Sequence, residues 1–147
     1  MTGAAEGAMA KEYELLPHTA DLAFRVRGAT MRELFARAAF ALEDIIAGCE
    51  SIEKRLEESV RVEGADAEEL LVNWLDELLY RYEVHGKLYS GFEIEELADT
   101  TLAARVFGET FDDGRHQVVH AVKAVTFHDL AIRRVPDGWE VTVVLDV

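Results

Sequence analysis

Between Ala23 and Gly28 apolar and polar positions alternate, Phe24 and Val26 against Arg25 and Arg27, the period of a strand with one exposed face. A shorter strand around Tyr13 and Leu15 precedes it, ended by Pro17, and His18-Thr19-Ala20-Asp21 in between suits a turn. The period then lengthens. Leu34, Phe35, Ala38, Ala39, Leu42, Ile45 and Ile46 recur at helical spacing behind a capping box of Thr30 and Glu33, and Gly48 stops the run. The charged residues 50–58 predict a loop, and Ser59 to Glu63 a short strand. A second capping box, Asp66 with Glu69, opens a helix to about Glu83 whose broad apolar face carries Leu70, Leu71, Trp74, Leu75, Leu78, Leu79 and Tyr82. The two helix entries read alike, Val26-Arg-Gly-Ala-Thr-Met-Arg-Glu-Leu34 beside Val62-Glu-Gly-Ala-Asp-Ala-Glu-Glu-Leu70. Two copies make no solenoid, and similar strand–turn–helix chemistry explains the likeness as well as duplication does.

After Gly86 the helical signal vanishes. Tyr89–Glu95, Thr101–Phe107, Ala121–Phe127, Leu130–Val135 and Trp139–Asp146 all favour strands, and Thr110 to Gln117 is a polar loop holding Asp112, Asp113 and His116. The expected architecture is α+β: two helices packed on a mostly antiparallel sheet, in a single domain over residues 12–147 after a flexible N-terminal tail, residues 1–11. Pro136-Asp137-Gly138 suits a three-residue hairpin loop with glycine at a left-handed position. That register sets Val135 opposite Trp139 and His128 opposite Asp146.

Composition narrows the function. Twenty-nine acids against fifteen Lys plus Arg give 147 residues a formal charge of −14. That disfavours strong direct contact with nucleic acid, which needs clustered cations, and favours a cation or a basic protein partner. The single Cys49 forms no internal disulfide, so a reducing, cytoplasmic setting is expected. No apolar run is long enough to span a membrane.

Asp146 follows an almost continuous apolar run, which predicts a sheltered carboxylate in need of a partner or a cation. Beside the carboxylate expected after Val147, and with Asp21 at its turn, the donors are oxygens. Those suit Ca²⁺, Mg²⁺ or Mn²⁺ rather than structural zinc. The bland readings are a turn-capping Asp21 and a solvated Asp146. Lys123 and His128, five apart on one expected strand, point to opposite faces unless a bulge intervenes. His18, His116 and His128 are too scattered for a triad, and no nucleophile elbow or phosphate-cradling glycine loop is present.

Five separated stretches together resemble one family. His18-Thr19-Ala20-Asp21 with its following strand resembles the N-terminal signature of the archeases. So do Val62-Glu-Gly with Glu69-Leu-Leu-Val-Asn73-Trp74-Leu75-Asp-Glu77-Leu78-Leu79, and Gly108-Glu109, Phe111-Asp112 and His116. Val122-Lys123-Ala124-Val125-Thr126-Phe127-His128 and the closing Gly138-Trp139 and Asp146-Val147 complete the pattern. The likeness runs from about Tyr13 to Val147; Phe127 stands where the family often has Tyr, and the loop from Asp113 to Val119 is less typical. The resemblance implies an accessory protein, not itself an enzyme, for the RtcB-type RNA ligase, which joins phosphate-ended RNA to a 5′-hydroxyl end using GTP and Mn²⁺ in tRNA splicing or RNA repair. It implies promotion of ligase guanylylation and repeated turnover. It also implies a divalent cation, Ca²⁺ foremost, held by Asp21, Asp146 and Val147. Lys123 joins the two aspartates as an expected activating residue, with His18 and His128 in support. The rival readings are a stand-alone metal-dependent phosphoester hydrolase and a chaperone-like binding module.

Overall fold

The structure, a computed structural model, describes residues 12–16 and 21–147. The expected tail and the turn residues from Pro17 to Ala20, His18 among them, lie outside the described residues. The elements are β1 (Tyr13–Leu16), β2 (Leu22–Gly28), α1 (Met31–Ala47), a short 3-10 turn (Cys49–Ser51), β3 (Leu56–Glu63), α2 (Ala67–His85), β4 (Lys87–Leu97), β5 (Thr101–Thr110), β6 (Ala124–Thr126), β7 (Arg133–Val135) and β8 (Gly138–Asp146). This is an α+β domain whose strands divide between two antiparallel sheets. One runs β1-β2-β8-β6 with β7 also on β8; the other runs β3-β5-β4. Among the described residues no helix is long and apolar enough to cross a membrane.

Both helices start where the pattern puts them. Thr30 Oγ1 accepts from the Glu33 amide at 3.1 Å, and Glu33 Oε1 accepts from the Ala29 amide at 2.7 Å. Asp66 Oδ1 accepts from Glu69 N at 2.8 Å, and Glu69 reaches back to Ala65 N at 2.6 Å. These bonds occupy donors that a helix N-terminus otherwise leaves open. α1 packs on β2 of one sheet and β4 of the other, while α2 touches β6 and all three strands of the second sheet. The helices therefore bind the sheets together over one core. Phe35, Leu42 and Trp74 are fully enclosed there, and the Trp74 indole donates to the Phe35 carbonyl at 3.0 Å. Each such side chain contributes on the order of 1.5–3 kcal/mol by leaving water.

Two readings from the pattern change. β3 begins at Leu56 inside the stretch expected to be loop, because an edge strand tolerates outward charges; Arg105 meets Glu57 there at 2.8 Å. The final hairpin turns on two residues, Pro136 and Asp137, so Val135 faces Gly138 and Arg134 faces Trp139. Gly138 belongs to the strand, with φ 145°, and a Cβ there would lie 2.2 Å from the Gly28 carbonyl oxygen. The glycine answers both to this positive φ and to the close approach of the end of β2, but it opens β8 instead of closing a three-residue turn. β7 shrinks to three residues and the chain from 127 to 132 loops away. That segment turns through Asp129 at φ 53° and is held where Ile132 N donates to Glu68 Oε2 at 3.1 Å, on the first turn of α2. The strand expected from Ala121 to Phe127 becomes the three-residue β6, and Ala124, not His128, faces Asp146.

Candidate functional site

β2 and β8 run antiparallel with Leu22 opposite Leu145. Continuing that register by one residue sets Asp21, at the entrance to β2, across from Asp146, at the exit of β8. Directly opposed residues on neighbouring strands share a face, with Cβ atoms about 5 Å apart. Like charges so placed repel unless something positive lies between them. On the other edge of β8, Ala124 faces Asp146 and the Lys123 amide donates to the Asp146 carbonyl at 2.7 Å. The ends of three strands thus bring Asp21, Asp146, Lys123 and the adjoining Val147 to one corner of the sheet.

The corner is open. Asp146 and Lys123 are exposed, Val147 is 38 % exposed and Asp21 is half-buried, so the expected shelter around Asp146 is absent. The apolar run before it is buried because β8 is central in its sheet, and the burial stops at Leu145. His128 lies on the outlooped segment with its ring Nε2 3.2 Å from Asp129. The remaining donors are hard oxygens, which suit Ca²⁺, Mg²⁺ or Mn²⁺. Among the described residues no three His, Cys, Asp or Glu side chains converge as a metal-holding group. The pair therefore offers two side-chain ligands; further ligands fall to main-chain oxygen such as that of Val147, to water or to a partner.

His116, whose role the pattern left open, is part of a second cluster. Its Nδ1 accepts from the Asp112 amide at 2.8 Å, which leaves the proton on Nε2 facing Glu109 Oε2 at 2.9 Å and the Ser51 carbonyl at 3.1 Å. Glu109, on β5, is buried and also accepts from Glu53 N at 2.7 Å and from Arg115. Burial alone would raise its carboxyl, but the hydrogen bonds from Glu53 N, Arg115 and His116 outweigh it and hold the pKa at about 2. This cluster clasps the loop after β5. Alternation could not reveal Glu109, because it stands on the outward row of β5 with Arg105 and Phe107, and it is covered by the folded-back loop and by the segment ahead of β3.

A sequence profile described as the Archease protein family matches residues 13–147. A Pyrococcus furiosus protein named "Protein archease" is 39% identical over 141 residues, which is 93% of this chain and 99% of that protein. A Methanopyrus kandleri protein of the same name is 38% identical over 138 residues, 92% of this chain and 99% of that one. The solution structure of Methanobacterium thermoautotrophicum protein 1598 superposes with a TM-score of 0.76 at 30% identity, covering 93% of this chain and 99% of that one. A Thermotoga maritima crystal structure described as an archease, possible chaperone, shares the fold, with a TM-score of 0.59 at 20% identity over 90% of this chain and 94% of that one.

Proposed function

We propose that this chain, which belongs to the archease family, is an accessory protein that activates an RtcB-type RNA ligase by promoting its guanylylation and its repeated turnover. The observation that carries the reading is the pairing of Leu22 with Leu145, whose register carried one residue further sets Asp21 across from Asp146, with the Lys123 amide bonded to the Asp146 carbonyl from the far edge.

Asp21 and Asp146, with main-chain oxygen of Val147, would hold a divalent cation, Ca²⁺ before Mg²⁺ or Mn²⁺. Once held, the cation supplies positive charge that a phosphate or a ligase carboxylate can meet. The remaining work belongs to the chain. The open corner lets both carboxylates enter a cleft on another protein, and Lys123, exposed where its amide meets the Asp146 carbonyl, adds a cation at the same strand end. A formal charge of −14 keeps RNA phosphates away from most of the surface, so the target is the ligase and not its substrate. A self-sufficient hydrolase would need a base beside the cation, and His128, on the segment that loops out after β6, is not opposite Asp146.

The test is ligation by purified ligase under excess RNA carrying a 2′,3′-cyclic phosphate, with GTP and Mn²⁺. Adding this chain is expected to convert a burst of about one product per ligase into continuing turnover, and Asp21→Ala or Asp146→Ala to remove the effect without unfolding the protein. An unchanged burst in the presence of the wild-type chain would refute the reading. Cleavage of a phosphoester by the chain alone would favour the hydrolase instead.

A further inference from the structure

Lys123 is brought to Asp146 by a segment that belongs to neither sheet until Ala124, and that segment is moored to the end of α1. The last four carbonyls of any α-helix lack intrahelical donors. In α1 each has found one. Asp44 O accepts from Gly48 N at 2.9 Å and Ala47 O from Ser51 Oγ at 3.4 Å, both local. Ile46 O accepts from Val119 N at 2.7 Å and Ile45 O from the His120 ring Nδ1 at 3.1 Å. The loop therefore caps the helix from a distance. No basic residue of α1 itself stands in its last turn, so His120 is the group brought to the negative end of the helix. Its main-chain carbonyl in turn accepts from Val122 N at 3.1 Å, and Val122 is buried. One residue further, Lys123 N reaches Asp146 O.

We infer that His120 is the positioning residue of the site: its ring, fixed on the Ile45 carbonyl, sets the path of Val122 and so places Lys123 beside Asp146. The inference rests on the reading of Lys123 as an activating residue, and it adds how that residue is aimed. It predicts a dependence on donor position that simple packing would not show. An asparagine amide nitrogen stands as many bonds from Cα as histidine Nδ1, whereas glutamine places it one bond further out. Leucine fills a similar space and donates nothing.

The experiment compares H120N, H120Q, H120L, K123A and the H120L/K123A pair in ligase turnover and in amide hydrogen exchange of Lys123. With H120L and H120Q, exchange at Lys123 is expected to quicken about tenfold, the scale of one lost hydrogen bond, while amides in the middle of α1 keep their protection. Ligase stimulation falls with it, H120N retains both properties, and H120L adds nothing to K123A. Unchanged exchange at Lys123 in H120L and H120Q overturns the inference, as does full stimulation by H120L where K123A has lost it. Should H120L fail to fold, the contrast between H120N and H120Q decides the same question. If K123A itself stimulates fully, the activating role of Lys123 falls, and the exchange rates still decide whether His120 places it.

Discussion

Glu43 and Glu109 are both buried acids, and their surroundings drive them in opposite directions. Glu43 lies on α1, wholly enclosed, with Oε1 accepting from Tyr89 N at 3.3 Å and Oε2 without a hydrogen-bond partner among the described residues. Burial raises its carboxyl well above the usual range, and the single backbone bond offsets this only in part. The folded state thus keeps a proton that the unfolded chain releases near pH 4.3, about the ordinary glutamate value. The stability Glu43 contributes is complete below that value and is lost as pH rises toward the folded one. Glu43→Gln keeps the shape and the bond to Tyr89. Urea midpoints measured across pH are expected to show the wild type losing ground to this variant as pH rises, and parallel curves would contradict the assignment. Glu109 behaves in reverse. Its pKa of about 2 means that its contribution is present above the ordinary glutamate range and disappears as pH falls through 2. Glu109→Gln is expected to cost about 3 kcal/mol at neutral pH, since it breaks a buried, hydrogen-bonded pair. The variant should also lose less than the wild type on acidification; a midpoint equal to wild type at neutral pH would contradict the clasp.

The junctions ahead of α1 and α2 share more than a sequence pattern. A Cβ added to Gly28 would lie 2.5 Å from Leu34 N, and one added to Gly64 would lie 2.5 Å from Leu70 N. With matching caps and back-bonds from Glu33 and Glu69, the two strand-to-helix turns are the same device used twice. Gly64→Ala forces backbone apart and is expected to cost on the order of 1–3 kcal/mol, read as a lower urea midpoint; an unshifted midpoint would show that the turn can give. Caps, helical spacing and terminal glycines are local signals, which is why α1 and α2 were readable with nearly their true limits. The hairpin register was not, because it depends on Gly138 meeting the Gly28 backbone and on Ile132 being drawn to Glu68, contacts between distant parts of the chain. The candidate site divides in the same way. Asp21 and Asp146 stand out in the sequence as oxygen donors and by family likeness, yet what joins them is the pairing of β2 with β8, for which no local residue pattern speaks. The opposition of His128 and Asp146 that a three-residue hairpin loop would set is absent from the fold. Glu109 stayed hidden because the loop that covers it carries no periodic signal.

At the scale of the molecule, an acidic surface includes a corner where the ends of adjacent strands carry Asp21, Asp146 and Lys123. A surface of this charge favours a basic or cation-bearing protein cleft over a phosphate backbone, and such attraction weakens as salt shortens its reach. On the proposed function, the affinity of the chain for the ligase is expected to fall as ionic strength rises, with little retention of the free RNA at any salt. Tight binding to RNA alone would instead move the site of action to the substrate. The claim on which the account turns is that the two aspartates form one centre and not two. A double-mutant cycle on ligase turnover measures this directly, using D21A, D146A and the two combined. Each single variant is expected to lose nearly all stimulation and the pair to lose no more than either, because one broken centre cannot be broken again. Partial losses that multiply in the double variant would show two independent residues and contradict it.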